Sequence, residues 1–180
     1  GWHIDPMLAS CKLRRLSEGP GAWDGVEHVV FPDGWLMFHL TGRAGVSRNL
    51  ASMSGLYSMK LGRWWPRAVA AARVPERALP TICGMGEPVG ALLPEMAREL
   101  GIPVVPVVAG ANDQTAAALG CGLTLPGDTM LGMGTALVTY QVIRSSAPAA
   151  ESRPLRGPYP CGLHWQMDVC NMAGAALEGA

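Results

Sequence analysis

Between Gly101 and Gly122 the pattern of apolar and polar positions changes its period. Val104, Val105, Val107 and Val108 form a β-branched run with little alternation, the pattern of a strand buried on both faces. Gly110 breaks that run. Asn112-Asp113 then stands before Thr115-Ala116-Ala117-Ala118-Leu119, a run of good helix formers closed by Gly120. The order is strand, tight turn, helix, with the Asp113 carboxylate at the turn. In open α/β sheets that position, beyond the carboxyl ends of the strands, is where ligands bind. Asp113 reads as the helix N-cap, since Asp oxygens accept orphan backbone N–H groups there. Capping is the commoner use of such an Asp; the functional reading is a general base that takes a proton from a hydroxyl attacking a phosphoryl group, and the two roles are compatible.

The rest of the chain divides by the same signals. Met7 to Leu16 is a predicted helix with Lys12, Arg14 and Arg15 on a solvated face, and Ser17 to Gly25 is a turn-rich loop. Val29-Val30-Phe31 is predicted as a short strand, followed by a helix from Pro32-Asp33 through Leu40 that ends at Thr41-Gly42. Ser47 to Ser58 is a predicted loop of small residues that lets another backbone approach closely. Trp64-Trp65-Pro66 anchors a helix over Arg67 to Ala72 by burying aromatic area. Leu79 to Ile82 is extended, Glu87 to Gly90 is a turn, and Leu93 to Leu100 is an amphipathic helix stopped by Gly101. Thr124 to Asp128 reads as a linker. Thr129 to Val142 reads as two strands joined at Gly132-Met133-Gly134-Thr135, a hairpin that can offer N–H groups and a hydroxyl to a phosphate. Residues 144–160 read as an exposed excursion, and His164 to Glu178 as ordered structure ending in a small-residue helix.

Composition narrows the classes. The 180 residues suffice for one domain or two small ones, and apolar residues at 49% against charged residues at 16% describe a globular chain. A formal net charge of zero argues against nucleic acid or an anionic membrane as a bulk electrostatic partner. The five cysteines are scattered, odd in number and without a Cys-x-x-Cys pair, as suits reduced thiols in a cytoplasmic protein. No run approaches the ~20 apolar residues of a membrane span, and no signal peptide is visible. His39 lacks neighbours at ligand spacing and reads as structural; no metal-ligating residue is named in this chain. The chain opens at Gly1 and stops within an unfinished helical pattern, so the expectation is an internal piece of a longer protein.

The motifs together resemble the middle of an FGGY-type carbohydrate kinase, xylulokinase-like members above all. Asp5-Pro6 with Lys12-Leu13 is similar to the family's lysine-containing helix. Asp33 to Gly42, ending His-Leu-Thr-Gly, resembles its D-Y-L-x-x-x-L-T-G segment, and Ala51-Ser52-Met53-Ser54 its A-S-x-T loop. Leu79-Pro80 with Val89-Gly90 resembles its L-P … V-G pair. Val107 to Gln114, continuing to Gly120-Cys121-Gly122, resembles the catalytic V-V-A-G-x-x-D motif. Gly132-Met133-Gly134-Thr135 resembles the phosphate-binding G-T-S, and Cys161, His164-Trp165 and Met167 the C-H … W-H-x-M stretch. These resemblances fall in the family's order along nearly the whole chain.

The resemblance implies an α/β fold of the actin-like ATPase (ribonuclease H-like) type, two domains with a cleft between them, only partly covered here. Residues 1–123 would be the latter part of an N-terminal sugar-binding domain, and 126–180 the start of a C-terminal nucleotide-binding domain. It implies ATP and Mg²⁺ as cofactors and a small sugar as substrate. Asp113 would be the catalytic base, Gln114 and Asn112 substrate-binding residues, and Gly132, Gly134 and Thr135 the nucleotide-phosphate contacts. A homodimer is compatible with it. Departures stand beside the matches: Ala136 replaces the Ser after Gly-Thr, Ser47 and Asn49 replace an Asp and a Ser, and Arg15 stands where Trp is common. Met7 occupies the place of a glycerol-kinase Tyr, which lowers that subfamily. The D-x-G-T loop and the adenosine motif lie outside the chain, so the piece alone is expected to be inactive. The alternatives are a kinase for another polyol (gluconate, fuculose, glycerol), a non-catalytic sugar- or nucleotide-binding relative, and an inactive truncated product.

Overall fold

The computed structural model describes residues 5–134, 136–144 and 154–170. Contacts divide the chain into two compact units, one within His3–Ala111 and one beginning at Asn112.

The first unit opens with helix α1 (Ala9–Leu16), whose N-terminus follows a turn in which Met7 N–H donates to Asp5 Oδ1 at 2.7 Å. Helix α2 (Pro32–Thr41) starts on a proline, whose missing N–H is no loss in a first turn, and ends at Gly42 in the left-handed region. Val29 to Phe31 does not form the expected strand; its one ladder-like bond is Val29 N–H to Ala78 carbonyl at 2.7 Å. Gly34 in α2 lets the helix backbone close on the next strand, since a Cβ there would stand 2.7 Å from the Gly45 carbonyl oxygen.

Where a loop is expected over Ser47 to Ser58, the chain forms strand β1 (Gly45–Ser47), helix α3 (Arg48–Ser52) and strand β2 (Tyr57–Ser58). The reason is local: Ser47 Oγ accepts the Leu50 N–H at 3.1 Å and caps a helix that composition alone does not suggest. Strand β3 (Arg63–Trp64) pairs with β2 and leads into helix α4 (Pro66–Ala72). Of the tryptophan pair only Trp64 anchors, donating its indole N–H to the Pro80 carbonyl at 3.0 Å and packing with Leu56 and Val69. Trp65 remains 43% exposed.

Strand β4 (Thr81–Cys83) pairs in parallel with β1. The expected turn at Glu87 to Gly90 is displaced: Glu87 Oε2 accepts the Gly84 N–H at 2.6 Å, closing the turn earlier, and Pro88–Ala91 is strand β5. Helix α5 (Pro94–Leu100) ends at Gly101 as its sequence predicts. The valine run is shorter and more open than expected. Only Pro106–Val108 is a strand, β6, which pairs antiparallel with β5 alone among the described residues, and Val104 is 54% exposed. The run is therefore not buried on both faces in this unit. Met37, Val89 and Ala109 form the small core that joins α2 to β5 and the end of β6.

The second unit places helix α6 (Asp113–Gly120) on a four-stranded antiparallel sheet. Its strands are β7 (Thr129–Met133), β8 (Leu137–Ile143), β9 (Leu155–Pro158) and β10 (His164–Cys170), in the order β7-β8-β10-β9. Alternation along β8 puts Val138, Tyr140 and Val142 inside, where they pack with Ala118, Leu123, Trp165 and Met167. The predicted linker at Thr124 to Asp128 is a closed turn, because Asp128 Oδ2 accepts the N–H groups of Thr124 and Leu125 at 2.9 and 2.8 Å. Part of the predicted excursion is also structured, since β9 is largely buried against β10. The opposite face carries a polar row in one register: Arg156 donates to Gln166, Gln166 to Gln141, and Gln141 to Thr129, at 3.2, 2.8 and 3.1 Å. The terminal small-residue helix and residues 145–153 lie outside the described residues. Among the described residues no helix is long and apolar enough to cross a membrane.

Candidate functional site

The N-terminus of α6 settles what Asp113 is locally. Asn112, not Asp113, is the cap: its Oδ1 accepts the Thr115 N–H at 2.8 Å, and the residue is only 8% exposed. With the cap supplied, Asp113 is the first helical residue and its side chain is exposed, with Oδ1 accepting the adjacent Gln114 N–H at 2.8 Å. A carboxylate at this position enjoys the positive end of the helix dipole, although an eight-residue helix supplies it weakly. Chemically, a solvent-facing carboxylate held at a helix start can accept a proton from a neighbouring hydroxyl.

The β7–β8 hairpin lies in the same unit. Its register pairs Gly132 with Val138 and Met133 with Leu137, which leaves residues 134–136 as the tip. Neither Gly132 nor Gly134 uses the left-handed backbone that glycine permits. What the glycines provide is space: a Cβ at Gly134 would meet only the Ala136 carbonyl oxygen, at 3.9 Å. The Gly134 N–H itself donates to the Ala136 carbonyl at 3.1 Å, so it closes the tip and is not turned outward toward a ligand. Thr135, the expected hydroxyl contact, lies outside the described residues. Gln114 comes up against this hairpin, with its Oε1 3.9 Å from where a Cβ on Gly132 would be. Gln114 is thus near Gly132, Asp113 precedes it on the exposed first turn of α6, and Asn112 fastens that turn as its cap.

Sequence reasoning missed a second fastening. Thr115 and Tyr140, both fully buried, share a hydrogen bond at 2.7 Å between their hydroxyls. Tyr140 also stacks on the Trp165 indole, with ring centroids 5.6 Å apart. The only sequence signal was the inward phase of Tyr140 in the β8 alternation. Burial pushes the Tyr140 phenol well above its ordinary value near 10, and the neighbouring Tyr159 adds to the rise. The sign follows directly. Above about pH 10 an unfolded chain gives up this proton while the folded one keeps it, so stability falls as pH rises. Tyr140→Phe is expected to flatten that alkaline decline in denaturant titrations between pH 9 and pH 11, the remaining slope coming from Tyr57 and Tyr159, which burial also raises.

Among the described residues no group of three His, Cys, Asp or Glu side chains is arranged to hold a metal ion.

Comparison with known proteins gives consistent results. Residues 1–120 match the family described as the FGGY family of carbohydrate kinases, N-terminal domain. The xylulose kinase of Escherichia coli (strain K12) is 29% identical over 162 residues, covering 89% of this chain and 34% of that protein. A glycerol kinase of Nitratidesulfovibrio vulgaris (strain DP4) is 31% identical over 142 residues, covering 75% of this chain and 28% of its own length. The crystal structure of xylulose kinase from Rhodospirillum rubrum superimposes with a TM-score of 0.87 at 29% identity, over 97% of this chain and 36% of that one. The chain spans about a third of the relatives it matches.

Proposed function

The chain belongs to the FGGY family of carbohydrate kinases, and on that premise we propose that the full-length protein transfers a phosphoryl group from ATP to a sugar hydroxyl. Its fold is the corresponding part of the actin-like ATPase architecture. A pentulose of the xylulose type is the favoured acceptor, and Asp113 is the general base. The observation that carries this reading is the exposed Asp113 carboxylate, set by a separate cap at the start of α6 and accompanied by the glycine hairpin.

In this mechanism Asp113 accepts the proton of the attacking hydroxyl, which raises its nucleophilicity as its oxygen bonds to the γ-phosphorus and the bond from that phosphorus to the bridging oxygen breaks, releasing ADP. Gln114 is assigned to hold the sugar, with its amide already seated beside Gly132. Asn112 serves the sugar site through the cap that sets the direction of Asp113. Gly132, Gly134 and Thr135 are assigned to the nucleotide phosphates by their resemblance to the family's G-T-S motif, a role that would require the Gly134 N–H to leave the Ala136 carbonyl. ATP supplies the phosphoryl group, and Mg²⁺ would supply charge neutralisation for its transfer, with no residue of this chain assigned to hold the ion. Residues 1–123 are assigned to the sugar-binding domain, in line with the match over residues 1–120 although α6 packs on the sheet of the second unit, and 126–180 to the start of the nucleotide-binding domain; the enzyme is assigned to the cytoplasm.

A panel of acceptors tests the substrate. ATP consumption by the full-length protein is expected to be fastest with D-xylulose and slower with gluconate, fuculose and glycerol. Fastest turnover with glycerol would overturn the choice of sugar, and sugar binding without any ATP turnover would replace the kinase by a binding protein.

A further inference from the structure

We propose that the Thr115–Tyr140 hydroxyl pair is the positioning contact of the site, fixing the Asp113 carboxylate relative to the glycine hairpin. This inference rests on the reading of Asp113 as the base. Of the eight residues of α6, only Thr115 and Ala118 are buried, so the helix is held to its sheet along a single narrow edge. Ala118 contributes one methyl to the core around Tyr140 and Trp165. Thr115 contributes the directional contact, 2.7 Å to the Tyr140 hydroxyl, with both side chains fully buried. The same residue receives the cap, because its N–H is the donor to Asn112 Oδ1. Asp113 therefore sits between the two partners of one short loop of bonds, and a rotation of α6 that moved the carboxylate would break the Thr115 contact.

The other end of the contact leads to the hairpin. Tyr140 lies on β8 two residues beyond Val138, the register partner of Gly132. Inward-facing side chains repeat every second residue along a strand, so Val138 and Tyr140 share the face that α6 covers. Gln114, adjacent to Asp113, rests at Gly132, and Thr115 rests at Tyr140. Two consecutive residues of α6 thus face two neighbouring points of the hairpin, Gln114 near Gly132 and Thr115 at Tyr140, and the hydrogen bond with fixed direction is the second. Tyr140 cannot yield easily, because its ring is stacked on the buried Trp165. The strand is the fixed side and the helix is the adjustable one. Neither hydroxyl touches the reacting atoms, so Thr115 and Tyr140 act through Asp113 as positioning residues.

The test uses the full-length protein and four variants, Thr115→Val, Thr115→Ser, Tyr140→Phe and the double Thr115→Val/Tyr140→Phe. Displacing a catalytic group by about 1 Å can cost ~100-fold in rate. Thr115→Val and Tyr140→Phe are each expected to lower kcat by roughly 10- to 100-fold with sugar KM little changed. The double variant is expected to be no slower than the worse single one. Thr115→Ser, which keeps the hydroxyl, restores most of the rate. Amide exchange over residues 113–116 is expected to quicken in the Val and Phe variants while β8 stays protected. Wild-type kcat in Tyr140→Phe, which removes one oxygen and leaves the ring in place, would overturn the proposal, as would independent, additive losses in the double variant. Asp113→Asn in the same assay separates the two readings. If Asp113→Asn keeps its turnover, the base assignment fails, and the exchange data still report whether the pair fastens α6. If Asp113→Asn collapses while Tyr140→Phe does not, only the positioning role is lost.

Discussion

Asp113→Asn in the full-length protein is expected to lower kcat by about 10²–10⁴-fold, the range that a positioned general base contributes, with sugar affinity nearly unchanged. The substitution suits the site. The amide keeps the size of the carboxylate, and Asn112 still caps the helix, so α6 has no reason to unravel. Among the described residues the carboxylate bonds to its neighbour's N–H and is otherwise exposed, so little stability is at stake. A loss of rate without a loss of melting temperature would therefore report chemistry and not folding. Steady-state kinetics with varied sugar and saturating ATP make the measurement, and near-normal kcat in Asp113→Asn would remove the base from the mechanism.

The largest effect on stability is expected at Trp165. Its indole is fully buried, stacks on Tyr140 and joins all the large residues of the second unit's core. Trp165→Ala is expected to cost about 3–5 kcal/mol in denaturant unfolding, the range for truncating a buried aromatic. Trp165→Phe should cost less, because among the described residues the indole N–H has no hydrogen-bond partner to lose. Gly157 supplies the companion experiment. A Cβ there would stand 2.5 Å from two carbons of the indole, so Gly157→Ala forces the ring to move. If the two act on one contact, Trp165→Phe should recover part of the loss in Gly157→Ala. Additive losses would place the strain elsewhere.

The helices that carry their own punctuation were legible in the sequence. Pro32 and Gly42 bound α2, and Gly101 stops α5, because these residues act on the local backbone whatever surrounds them. The two strands β7 and β8 were legible, but not their junction: Gly132 and Met133, expected at the turn, pair within the ladder with Val138 and Leu137. Errors came where a neighbour decides. Ser47 became a cap only because β1 pairs with β4 and ends beside it. Pro88–Ala91 became a strand only because β6 lies alongside, whereas Glu87 had drawn the turn back to Gly84. The valine run showed its β propensity but not its burial, which depends on what covers the sheet. At the site, the residue types around Asp113 were visible. The division of labour between Asn112 and Asp113 was not, since both are good caps and only geometry assigns the bond.

The polar row Arg156-Gln166-Gln141-Thr129 has a consequence for how the hairpin can vary. Each of its side-chain bonds joins residues directly opposite one another, so a slip of one strand by a single residue would sever the chain of contacts while turning the apolar side chains outward. Strand alignment is thus keyed in the body of the sheet, well away from residues 134–136. None of the row's three bonds involves the tip, so Ala136→Ser is expected to leave the alignment of the strands intact.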